Sequence, residues 1–160
     1  MKSRLLSIVQ ILLLACVGII LIPAGAHFFE LPNKMALAPA DYMITQRIYA
    51  GWAWFGLPIF FGMALLAIHA WLVQNTRSAM WLSLAAVALI AATQMIFWSF
   101  TQPMNELTQN WSVTPANVDE ARRQWEYSHA VNAVLTFFAF VTACLAVIAA
   151  RPQHIGRERA

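Results

Sequence analysis

The chain has 160 residues, of which 61% are hydrophobic and only 11% are charged. Soluble domains average about 45–50% apolar and about 25% charged residues. The composition therefore disfavours a water-soluble globule, a nucleic-acid-binding protein and a disordered chain. A mean hydropathy of +0.62 and an isoelectric point near 9.2 agree with a membrane protein whose basic residues lie at the membrane ends.

Four uncharged apolar runs predict four transmembrane helices. Each contains the roughly 20 residues that a helix needs to cross about 30 Å of hydrocarbon. The runs lack the alternating pattern of barrel strands, so we expect an all-α bundle of four transmembrane helices forming one domain, residues 1–160. Pro103 is expected to end the third helix. The predicted spans are residues 5–26, 50–74, 78–101 and 130–150.

The first span shares features with a secretory signal, because Lys2 and Arg4 precede it and its last residues, 24–26, are small. Its uncharged run of about 22 residues is longer than the 7–15 residues of a signal core, so we expect it to be retained. The two cysteines, Cys16 and Cys144, belong to no CxxC pair and are expected to be free thiols.

Charges in the connecting segments predict the orientation. The segments on one side carry six basic and one acidic residue, whereas those on the other carry four basic and six acidic residues. Both termini are therefore expected on the cytoplasmic side of a bacterial-type inner or plasma membrane. The two longer loops, residues 27–49 and 102–129, are then outside. Short helices are expected to open at Pro39, running on into the second span, and at residues 114–115.

Polar side chains gather at the outer end of all four spans. At about 100° per residue, Arg122, Glu126 and His129 share one face of the fourth helix, while Gln94 and Trp98 share a face of the third. Because polar groups are costly in lipid, the simplest packing turns these faces inward. The predicted outer pocket is lined by His27, Glu30, Gln46, Gln94, Arg122, Glu126 and His129 and walled by Trp52, Trp98, Trp111 and Trp125.

Two pairs of histidine and glutamate indicate one kind of chemistry. His27 with Glu30, and Glu126 with His129, place an imidazole and a carboxylate three residues apart on one helical face. A di-iron bundle uses two such pairs and two further glutamates, so two carboxylates are missing for it. One non-haem metal ion needs fewer ligands. The sequence leaves open a single metal ion on these four residues, or no cofactor.

The same residues are also compatible with an acid–base site. His129, oriented by Glu126, is a candidate general base, and Arg122 is a candidate stabiliser of developing negative charge. The aromatic walls would hold a flat apolar substrate that arrives from the bilayer. A simpler alternative is a surface ion pair between Arg122 and Glu126, at positions i and i+4, with His27 and His129 among the lipid headgroups.

Four motifs follow one another along the chain. They are HFFELPNK at 27–34, YAGW at 49–52, PMN at 103–105 followed by NW at 110–111, and RRQWEYSH at 122–129. Together they resemble the anthrone-oxygenase-like family of small four-helix membrane proteins, over about residues 10–150. Characterised members convert an anthrone to an anthraquinone with molecular oxygen. The residues that the resemblance implies for the site are Asn105, Asn110, Trp111, Arg122, Trp125 and His129.

The resemblance implies an oxidoreductase acting on a small lipophilic aromatic substrate. A base removes a proton from an acidic benzylic carbon, and the anion, stabilised by Arg122 with Asn105 or Asn110, reacts with oxygen without requiring a cofactor. The alternative is a non-catalytic membrane module that binds a lipid, a small ligand or a partner protein. Transport is a weaker hypothesis, because no charged residue lies mid-span and no broken-helix repeat is present.

Overall fold

The computed structural model describes residues 2–151 of the chain. Within them the regular structure is entirely helical, which confirms the predicted class. Arg157, Glu158 and Arg159, used in the charge count, lie outside the described residues. The elements are α1 (Lys2–Ala36), α2 (Pro39–Thr45), two 3₁₀ turns (Gln46–Tyr49 and Trp52–Phe55), α3 (Gly56–Leu72), α4 (Arg77–Ile96), a π-helical turn (Phe97–Thr101), α5 (Gln102–Leu107) and α6 (Val118–Ala149).

Four helical stretches are long and apolar enough to cross a membrane, as the sequence predicts. The first, third and fourth continue beyond the predicted apolar runs into polar sequence. This continuation occurs at the end where the pocket was expected, so functional side chains are carried on the same helices as the spans. The four stretches are Ser3–Ala36, Trp52–Leu72, Arg77–Leu107 and Val118–Ala149.

The long helices pack around an apolar core. α1 contacts α3 and α6, and α4 contacts the same two helices. Leu13 and Val17 of α1 and Leu66 of α3 are fully buried in this core. Ala139 and Ala143 of α6 are also fully buried, and their small side chains permit close helix approach where lipid offers no hydrophobic driving force.

A polar cluster joins three helices nearer the end that lies opposite the predicted pocket. His69 of α3, fully buried, lies 2.8 Å through Nδ1 from Ser83 Oγ of α4 and 3.2 Å through Nε2 from Gln10 Nε2 of α1. Ser83 donates its only hydroxyl proton to the carbonyl of Ala79, so it must accept from His69 Nδ1–H. His69 Nε2 then accepts from Gln10. Both ring nitrogens have partners, and the cluster holds α1, α3 and α4 in register.

The helix that opens at Pro39 does not run on into the second span, contrary to the prediction. It ends at Thr45, and two 3₁₀ turns separated at Gly51 precede α3. Gly51 has φ of 85°, in the left-handed region that favours glycine, so the chain changes direction there. The break places Gln46 within reach of α6 and Tyr49 within reach of α1.

The prediction that Pro103 ends the third helix is wrong. α4 passes into a single π-helical turn, and α5 follows directly with Pro103 at its start, where the missing N–H of proline is tolerated. The Phe100 carbonyl of this turn accepts a hydrogen bond from Gln124 Nε2 of α6 at 3.0 Å. Thr101 Oγ1 lies 2.7 Å from Ser128 Oγ, so α6 holds the turn at two points.

The fourth span begins earlier than predicted. Residues 114–115 are not helical, and no separate short helix opens there; α6 starts at Val118 and continues to Ala149. Arg122, Glu126 and His129 are therefore parts of the same continuous helix as the apolar span.

Candidate functional site

Two opposite charges are buried against each other beyond the apolar core. Lys34 Nζ of α1 lies 2.9 Å from Glu126 Oε1 of α6, and the side chains are 3% and 0% exposed. An unpaired charge in such surroundings is strongly unfavourable, so each of the two depends on its partner. The sequence predicts Glu126 as a site residue but treats Lys34 only as a loop charge. The structure makes this pair the centre of the site.

Glu126 accepts further hydrogen bonds on the same oxygen. Tyr42 of α2, fully buried, donates to Oε1 at 2.9 Å, and Gln46 Nε2 donates to it at 3.2 Å. The amide of Gln46 must turn its NH₂ group towards the carboxylate, which leaves Gln46 Oε1 without a donor. Within the described residues, Glu126 Oε2 is also buried without a partner. The site therefore holds two free hydrogen-bond acceptors.

Lys34 has acceptors on its other side. Its ammonium donates to the Tyr49 hydroxyl at 3.0 Å and lies 3.5 Å from His27 Nδ1. Tyr49 in turn donates to Glu30 Oε2, which is 3.7 Å from Lys34 Nζ. Glu30 is 41% exposed, so this arm of the hydrogen-bond network reaches the protein surface.

The two tyrosines lie outside the membrane-spanning stretches, and both have pKa values above the ordinary value for a phenol. Burial is the main cause for each. The neighbouring carboxylate adds to it, Glu126 raising the pKa of Tyr42 and Glu30 raising that of Tyr49. Both phenols therefore stay protonated at neutral pH and can donate to the carboxylates.

Trp125 of α6 is the centre of the aromatic wall. Its ring centroid lies 5.0 Å from that of His27 and 4.2 Å from that of His129, and the two imidazoles stack on each other at 4.0 Å. Lys34 Nζ lies 5.1 Å from the Trp125 ring, within cation–π range. Trp52, half-buried, closes the wall beside His27 at 5.5 Å. The charge pair is thus bordered by aromatic rings.

A strained turn places a second indole, that of Trp111, in this wall. Gln109, Asn110 and Trp111 all have positive φ, at 47°, 54° and 63°. This conformation is unfavourable by about 1–2 kcal/mol per residue with a side chain. Trp111 is 95% buried because its ring packs against Tyr42 at 5.3 Å and Trp125 at 5.6 Å. Burial of a large ring offsets the strain, and sequence periodicity gives no signal for it.

Arg122 lies beside the site but binds elsewhere. The guanidinium donates to the Leu37 carbonyl and to Asp119 Oδ1, both at 2.7 Å. The ion pair considered between Arg122 and Glu126 is not formed, because Glu126 pairs with Lys34 instead. Arg122 also lies over the ring of Tyr42, with Cζ 5.3 Å from the centroid. It fastens the α1–α2 connection to α6 and thereby positions Tyr42.

Several predicted pocket residues lie elsewhere. Trp98 is 62% exposed on the π-helical turn, so its predicted place in the wall is wrong. Asn110 is exposed, and Gln94 bonds to Thr93 of its own helix. Within the described residues His129 donates no hydrogen bond to Glu126, and its ring is held by contacts with other rings. The predicted residues that the structure brings together are His27, Glu30, Gln46, Trp52, Asn105, Trp111, Trp125, Glu126 and His129.

The four predicted metal ligands do not form a ligand set. Glu126 is occupied by Lys34, and Glu30 by Tyr49 and Lys34. An ammonium group between two carboxylates takes the place that a cation would need. In residues 2–151, no three of the His, Cys, Asp and Glu side chains are arranged to hold a metal ion.

A cleft of about 580 Å³ opens between α6 and the residues around the π-helical turn. Ser128, one of its lining residues, precedes His129 in the chain and bonds to Thr101 of the turn. The cleft is lined by Ile96, Phe100, Glu120, Arg123, Gln124, Tyr127, Ser128 and Val131.

Comparisons with protein families, curated proteins and solved structures find no match to this chain.

The two asparagines implied by the resemblance should behave differently on substitution. Asn105 Oδ1 accepts a hydrogen bond from Trp125 Nε1 at 2.8 Å, so Asn105→Ala leaves a buried donor unpaired and should lower the free energy of unfolding by about 1–3 kcal/mol. Asn110→Gly should change it by less than about 0.5 kcal/mol, because glycine accepts positive φ at an exposed position. Unfolding in mixed micelles measures both values. Equal losses in the two variants would contradict the assignment.

Proposed function

We propose that the chain is an integral membrane protein whose four long helices form a bundle in a bacterial-type inner or plasma membrane. Both termini lie in the cytoplasm, and the Lys34–Glu126 pair lies near the outer surface. The charge difference between the two sets of connecting segments supports this orientation. The length and hydropathy of the four helices support the membrane location.

We propose further that the site performs acid–base chemistry in an oxidoreductase of the anthrone-oxygenase type. The observation that carries this proposal is the unpartnered Oε2 of Glu126. Lys34, Tyr42 and Gln46 all bind the other oxygen, so the carboxylate is held in one orientation while one oxygen remains free. A general base needs such a free lone pair within reach of the proton that it removes.

The reaction consistent with this arrangement begins with proton transfer from a benzylic carbon to Glu126 Oε2. The C–H electron pair stays on the substrate as an enolate. Dioxygen adds to that carbon, and the resulting peroxide takes a proton from solvent to give a hydroperoxide, while the substrate proton stays on Glu126. Loss of water leaves a second carbonyl, so one atom of O₂ enters the quinone and the other enters water. No metal is required for this sequence.

The aromatic residues have a distinct part in this proposal. A flat substrate packs against Trp125 and the stacked imidazoles of His27 and His129, which exclude water from the enolate. His129 is then a wall residue and not the base, because Glu126 carries the free acceptor. This assignment revises the roles expected from the sequence, where His129 removes the proton and Glu126 orients it.

A non-catalytic module that binds a lipid is the second candidate. The cleft beside the π-helical turn favours it, because its volume falls within the roughly 300–1,000 Å³ typical of small-molecule sites. The cleft is open to the surroundings of α6, where acyl chains would lie in a membrane. Lipid binding there would not depend on Glu126.

Oxygen consumption tests the first candidate against the second. The purified protein in lipid nanodiscs is supplied with a panel of anthrones and hydroquinones, and oxygen uptake is recorded together with the absorbance of the quinone. We expect one molecule of oxygen per anthrone converted. Uptake no greater than that of nanodiscs carrying the double variant Lys34→Met/Glu126→Gln would reject the oxidoreductase proposal.

A further inference from the structure

A continuous chain of hydrogen-bonding groups runs from the buried carboxylate to the protein surface. Glu126 Oε1 contacts Lys34 Nζ at 2.9 Å, and Lys34 contacts the Tyr49 hydroxyl at 3.0 Å. Tyr49 donates to Glu30, whose side chain is 41% exposed. Three separate elements supply these four groups, namely α1, the first 3₁₀ turn and α6.

Each intermediate group in this chain can both lose and gain a proton. The Lys34 ammonium can release a proton and take one up again as an amine. The Tyr49 hydroxyl accepts a hydrogen bond from Lys34 while it donates one to Glu30. It can therefore pass a proton on by taking up one and releasing another. Glu30, at the surface, can exchange its proton with water.

Among the residues that the structure describes, no other route from Lys34 matches this one. His27 Nδ1 lies 3.5 Å from Nζ, a weaker contact, and His27 is 95% buried under stacked rings. The direct separation of 3.7 Å between Lys34 and Glu30 exceeds the hydrogen-bond range, whereas the tyrosine hydroxyl contacts both groups. Tyr49 is therefore the bridge.

We infer that Lys34, Tyr49 and Glu30 form a proton relay that connects Glu126 with the outer surface. The inference rests on the proposed function, in which Glu126 takes a proton from the substrate and has to release it to solvent before the next turnover. It assigns to Tyr49 and Glu30 the role of passing this proton on to solvent.

The relay follows from charge balance. When Glu126 is protonated, Lys34 becomes an unpaired buried cation. An N–H bond of Lys34 then breaks and an O–H bond forms on Tyr49, while the original O–H bond of Tyr49 breaks and one forms on Glu30. Glu30 releases that proton to water. The carboxyl of Glu126 turns and gives its proton to the neutral amine, which restores the ion pair without any change in electron count.

Lysine NMR tests the relay without substrate. The chain has only two lysines, Lys2 and Lys34, so ¹⁵N-lysine labelling gives two side-chain signals, which Lys2→Arg assigns. Hydrogen–deuterium exchange of the Lys34 ammonium is measured in nanodiscs. Tyr49→Phe and Glu30→Gln should each slow it at least about 10-fold, a modest effect beside the 10²–10⁴-fold typical of positioned proton transfer. Exchange that is unchanged or faster in either variant would overturn the relay.

A matched control and a second readout accompany this measurement. Tyr127→Phe removes an exposed hydroxyl on α6 and should leave the exchange rate unchanged. In the oxygen assay, Tyr49→Phe should lower steady-state turnover while the first substrate deprotonation keeps its rate, and a small permeant weak base that carries the proton away should restore turnover. If the unsubstituted protein consumes no oxygen, the proposed function fails, whereas the exchange rates still decide the relay.

Discussion

Replacing Lys34 with methionine is expected to lower the free energy of unfolding by about 3–5 kcal/mol, the usual effect of removing one partner from a buried ion pair. Methionine keeps most of the aliphatic length of the side chain, so the main loss is the charge that compensates Glu126. Tyr42 and Gln46 still donate to the carboxylate, but neither carries a positive charge. Reversible unfolding in mixed micelles gives the stability of the variant.

The double variant Lys34→Met/Glu126→Gln should recover a large part of this loss, because no unpaired charge remains in the interior. A double-mutant cycle then gives a coupling energy at the upper end of the roughly 0.5–3 kcal/mol found for contacting residues. Arg47→Met is the control, since Arg47 is exposed and its loss should change stability by less than about 0.5 kcal/mol. Equal destabilisation by Lys34→Met and Arg47→Met would show that the pair is not buried.

The four membrane-capable helices could be predicted because long apolar runs without charges have few other stable solutions. The residues at which these helices begin and end could not be predicted. Pro32 lies inside α1 and Pro103 at the start of α5, although proline normally disfavours helix interiors. In the structure α1 continues past Pro32 to Ala36, and a π-helical turn accommodates Pro103. Tertiary contacts, such as that of Gln124 with the Phe100 carbonyl, override local preference there.

Because the end of the first helix could not be predicted, the sequence did not indicate Lys34 as a site residue. Lys34 follows Glu30 by four residues and His27 by seven, which is the spacing of one helical face. A first helix whose last outer turn is assumed to end at Glu30 gives no reason to extend that face. Once α1 is known to continue, the periodicity of its polar residues is enough to place the ammonium beside the predicted carboxylates.

The prediction that Gln94 and Trp98 share one face of the third helix is wrong for a geometric reason. A π-helical turn contains an extra residue, so it rotates all later side chains relative to an ideal α-helix. Trp98 lies within this turn and faces outward, although it was predicted to share a face with Gln94. Asn105, beyond the turn, reaches Trp125 of α6. A sequence pattern alone does not reveal such an insertion.

Replacing Glu126 with glutamine is expected to lower oxygen uptake by about 10²–10⁴-fold, the contribution of a positioned general base. The amide keeps the shape of the side chain but cannot take a proton from the substrate. His129→Phe keeps an aromatic ring against His27 and Trp125 and should lower the rate by less than about 10-fold, because it removes a wall group and not the base. Initial rates of oxygen uptake, with matched quinone absorbance, measure both effects.

A double variant distinguishes a rate loss caused by the missing base from one caused by lower stability. Glu126→Gln leaves Lys34 unpaired, so part of its rate loss could reflect instability. The double variant with Lys34→Met restores a neutral interior, and it should fold well yet remain as inactive as the single variant, since a neutral pair still lacks a base. A fall of 10²-fold or more in His129→Phe, with Glu126→Gln retaining activity, would instead make the imidazole the base, because its lone pair would then be the only acceptor on which the rate depends.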